Sequence, residues 1–298
     1  MKGRISVALA LALLLSVPAL AAGYRLAAYK DDLFKYPKIL SSEAGGDYVV
    51  VQYIQSRDLD QRDIIPEKKT KDEYVSLDTK AVEHDFEVRD GSTTVKVIGT
   101  GKTDGKAKAV VIYLHGRNGS RFQGANDLMF GGNFNRIKNL MMRNGGVYLS
   151  PDFSDMGKTG TGEIKALIRH YHASSPGAPI FVACGSLGGS ICWALAKDPE
   201  AAPMLSGLLL LGSSIDDGFL KNPALHDPGK RFPIYIGHGS HDILMAWEPQ
   251  REFFKKIKAA APDYPIKFAL FDTGSHGTPI RMTDWRLILN WMLEVDKK

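Results

Sequence analysis

Ile180-Phe-Val-Ala-Cys-Gly-Ser-Leu-Gly-Gly-Ser190 decides how this chain is read. Four apolar residues, Ile180 to Ala183, run into Cys184-Gly185-Ser186-Leu187-Gly188-Gly189, and Ile191, Leu195 and Ala196 then recur at helical spacing. The apolar run reads as a strand covered on both faces, and the segment after it as a helix packed on that strand. One serine is thereby set on the turn between them, with the small residues Cys184 and Gly188 two positions to either side. Small side chains let a sharp strand–turn–helix elbow close and present the hydroxyl above the sheet. A plain Gly-rich turn would look the same in isolation, so the rest of the chain has to decide.

Outward from the elbow, short apolar runs recur: VVIYL (110–114), VYLSP (147–151), IFVAC (180–184), GLLLLG (207–212), PIYIG (233–237) and KFALF (267–271). Between them lie helical spacings. Phe134, Ile137 and Met141 follow Asn133 as a cap, Ile164, Leu167, Ile168 and Tyr171 repeat the pattern, and Trp285, Ile288, Leu289 and Met292 follow Thr283 as a cap. Six alternating strand–helix units predict a mainly parallel sheet with helices on both faces. Ahead of them, Val82 to Arg89, Asp90-Gly91 and Ser92 to Gly99 read as two alternating strands on a two-residue Asp-Gly turn. Tyr48 to Ile54 reads as a further strand, and the charged, Pro-interrupted stretch Ser56 to Glu73 as a surface loop.

In open parallel sheets, ligands bind past the carboxyl ends of the strands. The polar residues in those positions are His115, Arg117 and Asn118; Asp152 and Ser154; Ser186; Asp216 and Asp217; His238, His241 and Asp242; and Asp272 and His276. A serine hydroxyl becomes a nucleophile when a base takes its proton, and the base needs an acid to fix its tautomer. Ser186, Asp242 and His276 supply nucleophile, acid and base in that chain order, each past a different strand. Asp216 or Asp217, one strand earlier, remain alternatives for the acid. His115 and His238 are expected to bond neighbouring loops.

These motifs resemble the α/β-hydrolase superfamily from about Val75 to the C-terminus, closest to its small esterase, thioesterase and dienelactone-hydrolase-like members. The matching segments are C-G-S-L-G at the elbow, H-G-R-N-G from His115, P-D-F at 151–153, H-G-S-H-D from His238 and G-S-H-G from Gly274. One departure is Cys184, where the usual motif has glycine. The resemblance implies an eight-stranded sheet whose second strand is antiparallel, in keeping with the Asp-Gly hairpin. It also implies an oxyanion hole made by the backbone N–H groups of Leu187 and Arg117. Hydrolysis of an ester or related acyl bond through an acyl-enzyme is the expected activity, on a small-molecule or lipid-like acyl substrate. Peptidase, thioesterase and lipase activities share this fold and triad and stay open. A binding or scaffold protein that keeps the fold without turnover is the competing reading.

The bulk properties bound the rest. Lys2 and Arg4, the apolar run Ile5 to Val17 and Ala19-Leu-Ala21 read as a secretory signal peptide over residues 1–21. Its removal would leave 277 of 298 residues and lower the formal charge from +5 to +3. The expected organisation is then residues 22–74 as an N-terminal extension of unassigned role and 75–298 as the catalytic domain. The expected location is the periplasm or the extracellular space, with no stable membrane insertion once the leader is gone. A charge of that size, spread along the chain, is no footprint for nucleic acid. Gly101-Lys102-Thr103 and Gly157-Lys158-Thr159 each lack the first glycine of a phosphate loop, and the histidines lack the i, i+4 spacing of a helical zinc site. No cofactor and no metal are expected. Cys184 and Cys192, eight apart across a strand-to-helix turn, are expected to be free and buried, since the helical rise would carry them beyond bridging distance.

Overall fold

A computed structural model describes residues 23–67 and 69–295. The expected signal peptide, residues 1–21, lies outside the described residues. From the N-terminal side come α1 (Asp31–Phe34), β1 (Ile39–Glu43), β2 (Tyr48–Gln52) and the two-residue strands β3 (Asp63–Ile64) and β4 (Lys69–Thr70). The hairpin follows as β5 (Glu83–Asp90) and β6 (Thr93–Gly101), then β7 (Val110–Leu114), α2 (Arg121–Ala125), α3 (Asn133–Arg143), β8 (Val147–Pro151) and α4 (Lys158–Ser174). The elbow joins β9 (Ile180–Gly185) to α5 (Gly189–Lys197). The chain continues through β10 (Gly207–Leu211), β11 (Ile234–Gly239), α6 (Glu248–Ala260), β12 (Ile266–Asp272), α7 (Thr278–Met282) and α8 (Trp285–Val295).

Ten strands form one sheet in the order β1-β2-β12-β11-β10-β9-β7-β8-β6-β5. The eight expected strands are β5 to β12. Of these, β6 runs antiparallel to both β5 and β8, while the neighbours from β8 to β12 pair in parallel. The other two come from the segment before Val75. Strand β2 adds in parallel to β12, with Tyr48 opposite Phe268 and Gln52 opposite Asp272, and β1 closes the edge antiparallel to β2.

The apolar runs fill both faces because alternate residues point to opposite layers. In β7, Val110, Ile112 and Leu114 join the layer that contains Ile164, Leu167 and Ile191, whereas Val111 and Tyr113 join the layer of Phe134, Ile137, Trp285 and Leu289. Each fully buried aliphatic or aromatic side chain in these layers stabilises the fold by about 1.5–3 kcal/mol relative to exposure. The last helix is capped by Asp284, whose carboxylate accepts the Leu287 N–H at 3.3 Å, and not by Thr283, whose hydroxyl donates instead to Pro279 O at 2.6 Å.

Ser56 to Glu73 is more than a surface loop. Asp58, Arg62, Asp63 and Thr70 are all buried. The Arg62 guanidinium lies over the Phe34 and Tyr74 rings at 4.4 and 4.8 Å, and Arg281 donates to the Asp63 carboxylate at 2.6 Å. Burying charge is tolerable where it is paired and hydrogen-bonded, and a hydropathy pattern cannot reveal a partner such as Arg281, which lies 218 positions from Asp63 in sequence.

Candidate active site

The elbow is built as its small residues require. Ser186 has φ 51°, the left-handed region that costs an L-residue about 1–2 kcal/mol, so the surrounding packing must hold it there. Two close approaches make that packing. A Cβ on Gly188 would meet the His115 carbonyl oxygen at 2.7 Å, and one on Gly116 would meet the Ser186 Cβ at 2.8 Å. Glycine at both positions therefore lets the turn after β7 lie directly against the turn after β9. Ser213, just past β10, ties the elbow down, its hydroxyl lying 3.1 Å from Cys184 O and 2.7 Å from Ser186 O. Nothing in the sequence marked Ser213 for this part: it is an ordinary small polar residue after an apolar strand.

Cys184 and Cys192 are not free. They form a disulfide with Cα atoms 6.3 Å apart, and both side chains are wholly buried. The helical rise does separate residues along the axis of α5. The elbow, however, folds α5 back alongside β9, so the displacement along the helix is largely cancelled by the reversal of the chain. The bond staples the strand before Ser186 to the helix after it.

Past β11, Asp242 accepts the Leu244 and Met245 N–H groups on Oδ1 at 2.9 and 3.0 Å. Its Oδ2 lies 2.7 Å from His276 Nδ1 and 3.4 Å from His238 Nε2. Burial pushes this carboxyl upward, but the hydrogen bonds from His238, His276 and the Met245 and Leu244 N–H groups outweigh it and hold Asp242 well below the usual carboxylate range. The alternative acids are engaged elsewhere. Asp216 pairs with Lys197 and accepts the Gly218 N–H, and Asp217 faces Lys256 at 3.3 Å.

Of the two histidines expected to bond neighbouring loops, His238 does so, whereas the hydrogen bond of His115 stays within its own turn. His115 stacks on Phe153 with centroids 4.2 Å apart, its Nδ1 2.8 Å from Gly116 O. His238, fully buried at the end of β11, donates from Nε2 to Met245 O at 2.9 Å, so it bonds the loop that carries Asp242. Its contact with Asp242 itself was not foreseen. His241 is exposed, and no group of His, Cys, Asp and Glu able to hold a metal occurs among the described residues.

Ser186 and His276 line one cavity of about 240 Å³ together with Gly116, Arg117, Leu244 and Gly277. Tyr113, Gln123, Phe130 and Ile280 complete much of its wall. Gln123, on α2, and Phe130, just ahead of α3, both come from the segment that joins β7 to α3. Arg117 is exposed at the mouth, on the same turn as Gly116, and Leu187 follows Ser186 at the start of a 3-10 turn. The arrangement offers a hydroxyl, an imidazole fixed by a carboxylate, and backbone N–H groups on two turns that meet at the hydroxyl.

No protein-family model matches the chain, and no curated protein matches it in sequence. Solved structures do match in fold. The esterase Pf2001 of Pyrococcus furiosus is 16% identical, with 71% of this chain and 91% of that one covered at a TM-score of 0.52. A thermostable esterase is 15% identical, with 72% and 63% covered at 0.54. The strand order and these likenesses agree: the chain has the α/β-hydrolase fold.

Proposed function

We propose that this protein is an exported serine hydrolase that cleaves an ester or related acyl bond through a Ser186–His276–Asp242 triad. The observation that carries the proposal is the juxtaposition in one cavity of a serine on a left-handed elbow with an imidazole whose Nδ1 is held by a buried carboxylate at 2.7 Å. The likeness in fold to solved esterases supports the same reading.

With Nδ1–H given to Asp242, His276 keeps the Nε2 lone pair for the Ser186 proton. As that proton moves, Oγ bonds to the substrate carbonyl carbon, and the charge that develops on the carbonyl oxygen is received by the Leu187 and Arg117 N–H groups. His276 then returns the proton to the departing alcohol as the carbon–oxygen bond breaks, leaving an acyl-Ser186. Water repeats the sequence: His276 takes its proton, the hydroxyl adds to the acyl carbon, and the acid leaves as Ser186 regains its proton. Asp242 stays ionised throughout, and its role is to orient and stabilise the imidazolium. Small-molecule and lipid-like acyl esters both fit this chemistry. Ser186→Ala should lower kcat for an activated ester by a factor on the order of 10⁴ to 10⁶ with folding intact. Turnover near the wild-type rate would refute the mechanism.

Export is part of the proposal. It rests on the N-terminal pattern of residues 1–21, and the Cys184–Cys192 disulfide fits an oxidising compartment. No described helix is long and apolar enough to cross a membrane. N-terminal sequencing of the protein from its native host should begin at Ala22 or Gly23. A chain that keeps Met1 and fractionates with membranes would contradict it.

A further inference from the structure

We infer that the cavity at Ser186 continues past Phe130 into a second compartment that receives the alcohol arm of the ester, an uncharged and mainly apolar group. This rests on the hydrolase reading above and extends it to substrate selection. The second cavity, of about 220 Å³, is lined by Leu59, Asp63, Met129, Phe130 and Arg281. Phe130 lines both, and Ile280 of the first cavity is followed in α7 by Arg281 of the second. The first cavity alone, at about 240 Å³, falls below the ~300–1,000 Å³ of ordinary small-molecule sites, and only the two together come within that range.

The divider is a built feature. Phe130 has φ 49°, a strained backbone for a bulky side chain, so its position has to be enforced by its surroundings. Its ring packs edge-on against Phe134 at 5.6 Å, and a Cβ on Gly277 would meet it at 3.1 Å. The N-terminal extension then clamps the loop that carries it. Thr70 donates from its N–H and its hydroxyl to Leu128 O, at 3.0 and 2.8 Å, and Arg62 Nε donates to Gly131 O at 3.0 Å. Leu59 and Asp63 of that same extension form the far wall. The segment with no assigned role thus supplies two of the five residues that line the compartment.

Two observations say what enters it. Among the described residues, the charged groups in its lining are Asp63 and Arg281, which are buried and neutralise each other at 2.6 Å, so this lining offers no unpaired charge to an ionic substrate. Leu59, Met129 and Phe130 present apolar surface instead. The side is set by His276. The proton it returns goes to the leaving oxygen, so the alcohol arm departs from the scissile bond on the histidine's side. Phe130 packs on Gly277, immediately after His276, which puts the divider and the compartment behind it on that side.

Three esters separate the arms: methyl acetate, benzyl acetate, and its isomer methyl phenylacetate, which carries the ring on the acyl side. Leu59→Trp and Met129→Trp fill the compartment from two different segments, both at positions that are not fully buried. Each should lower kcat/KM for benzyl acetate at least about tenfold, mainly through KM, and leave the other two esters within about twofold. Phe130→Ala, which removes bulk, should raise kcat/KM for benzyl acetate relative to methyl acetate. Thermal midpoints identify any variant that has simply lost its fold, and the three substitutions need not fail together. The inference is overturned if benzyl acetate is unaffected by the filling variants, if all three esters fall in parallel, or if only methyl phenylacetate suffers. A wild-type protein that hydrolyses none of the esters would instead overturn the hydrolase reading, and the subsite with it.

Discussion

His276 Nδ1 lies 2.7 Å from Asp242 Oδ2, across a gap of 34 residues and between loops that follow neighbouring parallel strands. Of the three aspartates considered for the proposed acid, Asp242 is the one that bonds the imidazole, whereas Asp216 and Asp217 each pair with a lysine. Asp242→Asn should lower kcat by about 10³- to 10⁴-fold, through loss of the imidazole's tautomer and orientation. Asp216→Asn should leave kcat within about twofold. Steady-state kinetics on one ester decide, and a larger loss from Asp216→Asn than from Asp242→Asn would move the acid one strand earlier.

His238 is expected to position Asp242. Its Nε2 reaches Met245 O at 2.9 Å and Asp242 Oδ2 at 3.4 Å, so it fixes both the carboxylate and the loop that bonds the other oxygen. Because the folded carboxyl is held low, its stabilisation is full above the unfolded pKa of about 3.9 and is lost as pH falls below that. His238→Phe removes a donor and raises the carboxyl toward its unfolded value, so the variant should be less stable at neutral pH and should lose less further stability than the wild type as pH falls below about 3.9. It should also lower kcat more than it changes KM, with part of the loss recovered in His238→Gln, which keeps a donor. Thermal midpoints from pH 3 to 6 together with kcat test this. Identical acid profiles would remove His238 from the account.

How far the sequence could be read follows from what kind of information each feature needs. The parallel strands and the hairpin were legible because a strand buried on both faces is continuously apolar, and an Asp-Gly pair between alternating runs has few other uses. The elbow and the strand-end placement of Ser186, Asp242 and His276 were legible because the apolar runs mark where the strands stop and the small residues mark the tight turn; the catalytic roles of the three are proposed. The disulfide was not, since spacing along a chain does not show that α5 folds back on β9. Nor was the buried work of residues 56–73: Arg62, Asp63 and Arg281 look like surface charges until Phe34, Tyr74 and Gly131 take up Arg62 and the other two pair with each other. The contribution of Ser213 likewise depends wholly on where two backbone carbonyls come to lie.

The disulfide should matter to stability more than to chemistry. It closes a short loop, with a sequence separation of 8, for which chain-entropy reasoning gives about 2–3 kcal/mol. The double variant Cys184→Ala with Cys192→Ala should lose about that much in urea unfolding and retain ester turnover. Thiol titration of denatured, unreduced protein should find no free thiol. Two free thiols in that titration would contradict the bond.

Gly116→Ala should damage activity without unfolding the protein. The new methyl would sit 2.8 Å from the Ser186 Cβ, so the turn that carries Arg117 must retreat from the elbow. Losing one aligned oxyanion donor costs about 10²- to 10³-fold in kcat. Kinetics at an unchanged thermal midpoint would show this, and wild-type kcat would mean that the Arg117 N–H is not a donor.

The most direct test of the central claim is covalent. A fluorophosphonate reacts with a serine only when a base has activated it and an oxyanion site receives the phosphoryl oxygen. Incubation of the native protein with such a probe, followed by peptide mass mapping, should place one adduct on Ser186. The adduct should be absent after heat denaturation and from the His276→Ala variant. An unlabelled native protein, or a probe carried on any other residue, would contradict the triad.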